Sequence, residues 1–401
     1  VKHLPRGLWI LLIANVVIAL GYGLVAPALP IFATTFGVSI TAASLVVSAF
    51  ALMRLLFAPT TGRLVTRLGE RRIYLTGLLI VALSTLACAF AQSYWQLLVF
   101  RALGGIGSTM FSVSAMALLI RLSPQEVRGR ASGYFSAGFL VGNLTGPLIG
   151  AALVEWFGLR PPFAVYAVAL LIAAGVVAAY MPPPPEAETG GDNGAGLLSA
   201  PGFVESLRTA EYRAVLTSNF AQGWASMGVR VALVPLFVQE GLRYSGTWAG
   251  IILACYAAGN VVAILVSGRL SDRFGRKPVV IPGLVVAAVG TLALGYSPDI
   301  WTALILTAVA GLGSGLFAPT HQAALGDLLA GRQRGGSALA AYGMASDLGA
   351  VSGPLVTGLI ADRWGFGPAF VMTAAVLVLA LLTWTRAADT AKAPSPLVAP
   401  R

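Results

Sequence analysis

Four ionisable side chains stand near the middle of long apolar runs: Arg54, Arg101, Arg230 and Asp347. A charge at the centre of a bilayer costs roughly 2.5–3.5 kcal/mol on insertion scales, so such residues pair with one another or face a wet path. That points to binding and ion movement rather than bond making. Asp347 is the acid near a span centre and is the first candidate for a proton carrier: ionised when hydrated or beside Arg230 or Arg54, protonated when desolvated. His321 is the second, because an unperturbed imidazole titrates near pH 6.5, although a lone helix histidine serves equally well as a structural hydrogen-bonder. Glu155, Glu240, Asp299 and Asp362 fall at the outer ends of the apolar runs and read as interfacial caps.

Helical spacing shows which faces are polar. Asn219, Gln222, Ser226 and Arg230 follow one another by three, four and four residues, a continuous stripe. Arg101, Gly105, Ser108 and Ser112 form a second stripe, and the pairs Asn15 and Tyr22, and Ser314 and His321, are each seven apart. Arg54 has Asn260 as its counterpart 206 residues later, with Phe50 and Phe57 beside the first and Tyr256 beside the second. Aromatic groups there suit a bulky organic solute, while the same residues on a buried helix also serve as core.

The elements that must position these residues follow from composition. The chain of 401 residues is 57% hydrophobic and only 10% charged, against about 25% charged in a soluble domain. About 20 apolar residues span a bilayer as a helix, and twelve such stretches are predicted near 8–33, 42–62, 73–92, 95–120, 130–155, 161–181, 212–239, 246–267, 278–297, 300–328, 336–361 and 366–386. The expected fold class is an all-α membrane protein with twelve transmembrane helices in two pseudo-symmetric six-helix bundles. The expected division is 1–181, a linker at 182–211 rich in Pro and Gly, 212–388, and a tail at 389–401. The first run, preceded by Lys2 and Arg6, is too long for a cleaved signal and is expected to stay as an anchor.

Basic residues near span ends stay cytoplasmic. Arg63, Arg67, Arg71, Arg72, Arg121, Arg128, Arg130, Arg269, Arg273, Arg276, Lys277, Arg332 and Arg334 fall in one set of loops, and only Arg160, Arg243 and Arg363 in the other. Both termini are therefore expected inside, in a multi-pass protein of the cytoplasmic membrane. The net charge of +11 is explained by topology and anionic lipid; no nucleic-acid partner is implied, because the arginines are dispersed over short loops. Cys88 and Cys255 read as packing residues, with no metal-ligand spacing.

The chain also repeats. Gly62-Arg63-Leu64, Gly69 and Arg71 return at an offset of 206 as Gly268-Arg269-Leu270, Gly275 and Lys277; Gly105 and Gly107 return as Gly311 and Gly313. After one inserted residue, Gly146-Pro147 matches Gly353-Pro354, and Glu155 matches Asp362. Six spans repeat as six in parallel, which relates the halves by an axis along the membrane normal. The segment Gly268 to Lys277 resembles the G-x-L-x-D-R-x-G-R-K signature of the major facilitator superfamily. In the first copy, Thr66 replaces its Asp and Glu70 a basic residue. Arg101 to Gly107 resembles the R-x-x-x-G-x-G pattern of the drug:proton antiporter branch, and Gly142 to Gly150 the exporter-associated G-x-x-x-G-P-x-x-G element.

The resemblance implies the major facilitator fold, with spans one, four, seven and ten around a substrate cavity. Its expected lining is Asn15, Tyr22, Arg54, Arg101, Ser108, Asn219, Gln222, Ser226, Arg230, Asn260 and Ser314. Gating is expected at Gly62, Arg63, Arg67, Gly69, Gly268, Arg269, Asp272, Arg273 and Gly275. Gly62 and Gly268 would admit close backbones, and Asp272 would pair with arginines or a helix N-terminus. Gating is expected also at Gly138, Gly142 and Gly146, which four residues apart form a smooth packing ridge, and at Pro147, which bends the helix. The implied function is proton-coupled export of amphipathic small molecules by a monomer, driven by a proton gradient with no cofactor. A facilitator or importer of sugars, organic anions or other metabolites would share the fold; a receptor or scaffold is the reading from another class. No nucleophile–base pair, metal cluster or nucleotide loop points to an enzyme.

Overall fold

The computed structural model describes residues 5–123, 127–181, 207–329 and 336–392. Lys2, Arg332, Arg334, the side chain of Arg128, most of the expected linker and the tail beyond Lys392 lie outside the described residues. Among the described residues there is no strand, and twelve helices are long and apolar enough to cross a membrane. In chain order they are α1 (Arg6–Thr34), α2 (Ile40–Leu68), α3 (Glu70–Ala89), α4 (Tyr94–Leu122), α5 (Arg128–Phe157) and α6 (Pro161–Tyr180). The second half supplies α7 (Ala210–Gly241), α8 (Gly246–Phe274), α9 (Lys277–Leu294), α10 (Ile300–Leu329), α11 (Gly336–Trp364) and α12 (Phe366–Arg386).

The helices start and stop where local chemistry dictates. Ser39, Ser93 and Asp299 accept from the backbone N–H of Ala42, Gln96 and Thr302 at 3.3, 3.4 and 2.9 Å, satisfying donors that a helix start leaves open. Gly69 and Gly275 end α2 and α8 at φ 84° and 105°, and Gly158 and Gly365 end α5 and α11 at φ 88° and 85°, a left-handed conformation that glycine adopts without a Cβ penalty. Gly62 and Gly268 correct the expectation made for them. They lie inside α2 and α8, which run on to Leu68 and Phe274, and a Cβ at either would meet nothing within 4 Å. The helices outlast their apolar stretch because Arg63, Arg67, Arg269 and Arg273 are exposed there.

Asp299 is the repeat counterpart of Ser93, and the Thr302 backbone N–H is the main cause holding its carboxyl below the usual range. The stabilisation it gives is therefore present above the ordinary carboxylate pKa and is lost as the pH falls through its lowered value. Asp299→Ser should keep the cap and remove that pH dependence, whereas Asp299→Ala should lower the thermal midpoint at neutral pH; thermal unfolding at two pH values checks both.

The helices form two compact units. Unit 1 comprises residues 1–195, 230–254 and 354–362; unit 2 comprises 196–229, 255–353 and 363–401. In unit 1, α5 lies along α1 on its glycine ridge. A Cβ at Gly146 would sit 2.6 Å from the Leu20 carbonyl oxygen and 2.7 Å from Gly23 Cα, and Gly142 faces the backbone of Ala19 and Leu20 equally closely. Helices α3 and α4 cross at Gly77 and Gly107, and their counterparts α9 and α10 cross in unit 2 at Gly283 and Gly313. Gly105 meets the Phe50 carbonyl as Gly311 meets that of Tyr256. Each pair is offset by 206 residues, so the repeat read in the sequence is also a repeat of packing. Helix α7 departs from its counterpart α1: Gly223–Val229 and Phe237–Gly241 are π-helical, a distortion common at functional sites.

Candidate functional site

In unit 1 the polar residues gather on α2 and α4. The Arg54 guanidinium donates to Ser108 Oγ at 3.2 Å, and the neighbouring Thr109 hydroxyl donates to the Arg54 carbonyl at 3.1 Å. Arg101 is buried at 7% exposure with its guanidinium carbon 4.0 Å from the Phe50 ring centroid. That cation–π contact returns part of the lost hydration, yet Arg101 Nε has no hydrogen-bond partner. Arg54, Arg101 and Arg230 all belong to unit 1, while Asp347 is half-buried in unit 2. Tyr22 is half-buried on α1.

Unit 2 brings Gln222 and Ser226 of α7, Tyr256 of α8 and Ser314 of α10 into one network. Ser226 Oγ is 2.5 Å from Tyr256 Oη and 3.3 Å from Ser314 Oγ, and Ser314 donates to Gln222 Oε1 at 3.1 Å. Asn260, one turn along α8 from Tyr256, is half-buried. The two stripes expected on α7 and α10 thus meet, with Tyr256 joining them.

Asn15 and Asn219 occupy matching places in the two units with a task the sequence did not reveal. Asn15 Nδ2 donates to the Phe135 carbonyl at 2.8 Å, and Asn219 Nδ2 to the Tyr342 carbonyl at 2.6 Å. Each amide ties the first helix of its half to the fifth. His321 is 1% exposed, its ring 5.7 Å from that of Phe317 and 5.8 Å from that of Tyr342, with Nδ1 unpartnered. Cys88 is buried and Cys255 half-buried, and among the described residues no group of His, Cys, Asp and Glu could hold a metal.

The signature loops hold an inverted ion pair. Glu70, at the start of α3, binds Arg121 at 2.7 Å. At the matching positions Arg276 binds Asp327 at 2.9 Å, so both charges are exchanged between the halves. The departure of Glu70 from the signature is thus compensated at position 121, and comparing residues 121 and 327 across the repeat exposes it. Asp272 binds Arg276 at 2.7 Å in its own loop. Asp327 first, then Asp272, holds the Arg276 guanidinium above its ordinary pKa. Thr66, at the position of that aspartate, donates instead to the Arg63 carbonyl at 2.8 Å. Arg71 donates to the Ala178 carbonyl at the end of α6 at 2.6 Å, as Lys277 does to the Thr385 carbonyl of α12 at 2.9 Å, cations placed where a helix ends in bare carbonyls. In the second loop Asp389 also accepts from the Arg276 backbone N–H at 3.0 Å. Exchanging the first pair, Glu70→Arg with Arg121→Asp, should recover about 1 kcal/mol or more of the stability that Glu70→Arg alone loses, read as a double-mutant cycle of unfolding midpoints.

Among the described residues, twelve helices long and apolar enough to cross a membrane, with buried polar groups and charged residues within them, are the architecture of a multi-pass membrane protein. The family model described as the Major Facilitator Superfamily matches residues 11–218 and 215–400. The chain belongs to that superfamily. Similar curated proteins include the multidrug resistance protein MdtG of Enterobacter lignolyticus (strain SCF1), 28% identical over 370 residues, 89% of this chain and 86% of that one. MdtG of Citrobacter koseri is also 28% identical, over 383 residues and 90% of each chain. Among solved structures, a bacterial homolog of the human lysosomal transporter Spinster, in an inward-facing and unoccupied conformation, superposes with a TM-score of 0.77 at 17% identity, over 94% of this chain and 95% of that one. A D-xylose–proton symporter superposes with a TM-score of 0.77 at 18% identity, over 96% and 98%. These two likenesses show the fold.

Proposed function

We propose that the chain is a proton-coupled exporter of amphipathic organic compounds that works by alternating access, as a monomer in the cytoplasmic membrane with both termini in the cytoplasm. The observation that carries this reading is the buried network of Gln222, Ser226, Tyr256 and Ser314. Hydroxyls, an amide and an aromatic face set within apolar helices offer orientation to a solute whose remaining surface is apolar. The multidrug resistance names of the relatives support the substrate class, and the exporter-type element Gly146-Pro147, seated against α1, supports the direction.

Asp347 is the proton carrier in this reading, and a proton gradient is the energy source, with no cofactor. Arg54, Arg101 and Arg230 outnumber it among the intramembrane charges, so neutral or anionic amphipaths are favoured over dications. Accumulation of a matched anionic and cationic dye pair in everted vesicles, where export runs inward, tests the charge preference. Faster export of the anion is expected; preferential export of the cation would contradict it.

A further inference from the structure

Two carboxylates at repeat-related positions reach across the sequence. Asp362, near the end of α11, accepts from the backbone N–H groups of Ile40 and Thr41 at 2.9 Å each, and from the Thr41 hydroxyl. It satisfies the open donors at the start of α2 and lies where that helix dipole is positive. Glu155, its counterpart near the end of α5, accepts from the hydroxyl of Thr247 at the start of α8, and Thr247 is in turn the counterpart of Thr41. Each half of the sequence thus lends one carboxylate to a helix start in the other half, and all five residues lie in unit 1.

The packing beside the clasps is matched as well, with the small residue exchanged. A Cβ at Gly358 of α11 would lie 3.0 Å from Thr41 Cα and 3.1 Å from Ser44 Oγ on α2. At the other clasp the glycine is on α8: Gly250 meets the Pro147 carbonyl and Ala151 of α5. Backbones come this close only while the ends are held together. A hydroxyl holds Glu155, and a hydroxyl with two backbone N–H groups holds Asp362, while Glu240 at the end of α7 is a like charge within electrostatic reach of Asp362. Such a contact is strong enough to hold and weak enough to release.

We infer that Glu155 and Asp362 are a paired latch: positioning residues that hold the starts of α2 and α8 against the ends of α11 and α5, and that must both let go for this end of the transporter to open. The inference rests on the alternating-access part of the proposed function. Ser44 supplies the reporter, being fully buried beside Gly358. In the full-length protein in nanodiscs, with Cys88→Ser and Cys255→Ser, Ser44→Cys is reacted with a charged maleimide. Glu155→Ala is expected to raise the labelling rate about fivefold, the worth of one hydrogen bond, although Glu155 clasps α8 and not α2. Thr247→Val, which removes the same clasp from its other side, should do likewise and is read if Glu155→Ala does not fold. Combining Glu155→Ala with Asp362→Ala should exceed either alone. If the two carboxylates only cap helices, Glu155→Ala and Thr247→Val will leave Ser44→Cys labelling unchanged, and that result overturns the latch. Labelling needs neither dye nor gradient, so failure of the latch is distinguishable from failure of proton-coupled export.

Discussion

Gly142→Ala is expected to destabilise the protein by about 1–3 kcal/mol or more, whereas Gly133→Ala on the same helix should be neutral or gain up to about 1 kcal/mol. The difference lies in what each added methyl meets. At Gly142 the Cβ would lie 2.5 Å from the Ala19 carbonyl carbon and 2.6 Å from the Leu20 nitrogen. Those are backbone atoms of α1, which move only if the whole helix moves. At Gly133 nothing lies within 4 Å, and alanine simply restricts the unfolded chain. Since folded proteins are stable by roughly 5–15 kcal/mol, the first change consumes a large part of the margin. Thermal midpoints of the two variants in detergent decide it: equal midpoints would mean that the ridge does not hold α5 to α1.

Asp347→Asn is expected to reduce pH-gradient-driven transport to the level of empty vesicles while substrate binding persists. Asparagine keeps the size of the side chain and removes its capacity to exchange a proton. The predicted loss is specific to Asp347. His321 packs between Phe317 and Tyr342 in the core of unit 2, so His321→Phe should keep gradient-driven transport. Coupled transport in Asp347→Asn, or its loss in His321→Phe, would move the proton carrier elsewhere.

The twelve spans and the duplicated half are legible in the sequence because both are written in composition and in a fixed offset, which tertiary contacts do not alter. Ser314 and Gln222 are likewise legible as members of polar stripes, and the structure brings them together. Side-chain partners are less so. Spacing places Asn15 and Asn219 on polar faces expected to line a cavity, but not their amides on the carbonyls of Phe135 and Tyr342, since a backbone acceptor leaves no residue type to recognise. The Glu70–Arg121 pair was obscured because its charges are exchanged in the other half, so that each position taken alone resembles a lapse of the repeat. Gly62 and Gly268 show the opposite error. The apolar runs end near them, but the helices continue to Leu68 and Phe274, and the left-handed residues are Gly69 and Gly275. Asp362 does cap a helix start, and what sequence could not supply was that this helix belongs to the other half, with Asp362 and its partner Ile40 322 residues apart, and that Glu155 takes the hydroxyl of Thr247 there.

Proton flux driven by solute is the most direct test of proton-coupled export. Proteoliposomes holding a pH indicator and the purified protein are given an anionic amphipathic dye on one side. Proton-coupled export predicts that dye and protons cross in opposite directions, that an imposed pH gradient accelerates dye movement, and that Asp347→Asn abolishes both effects. Dye movement at one rate with and without the gradient, or in the same direction as the protons, would contradict it.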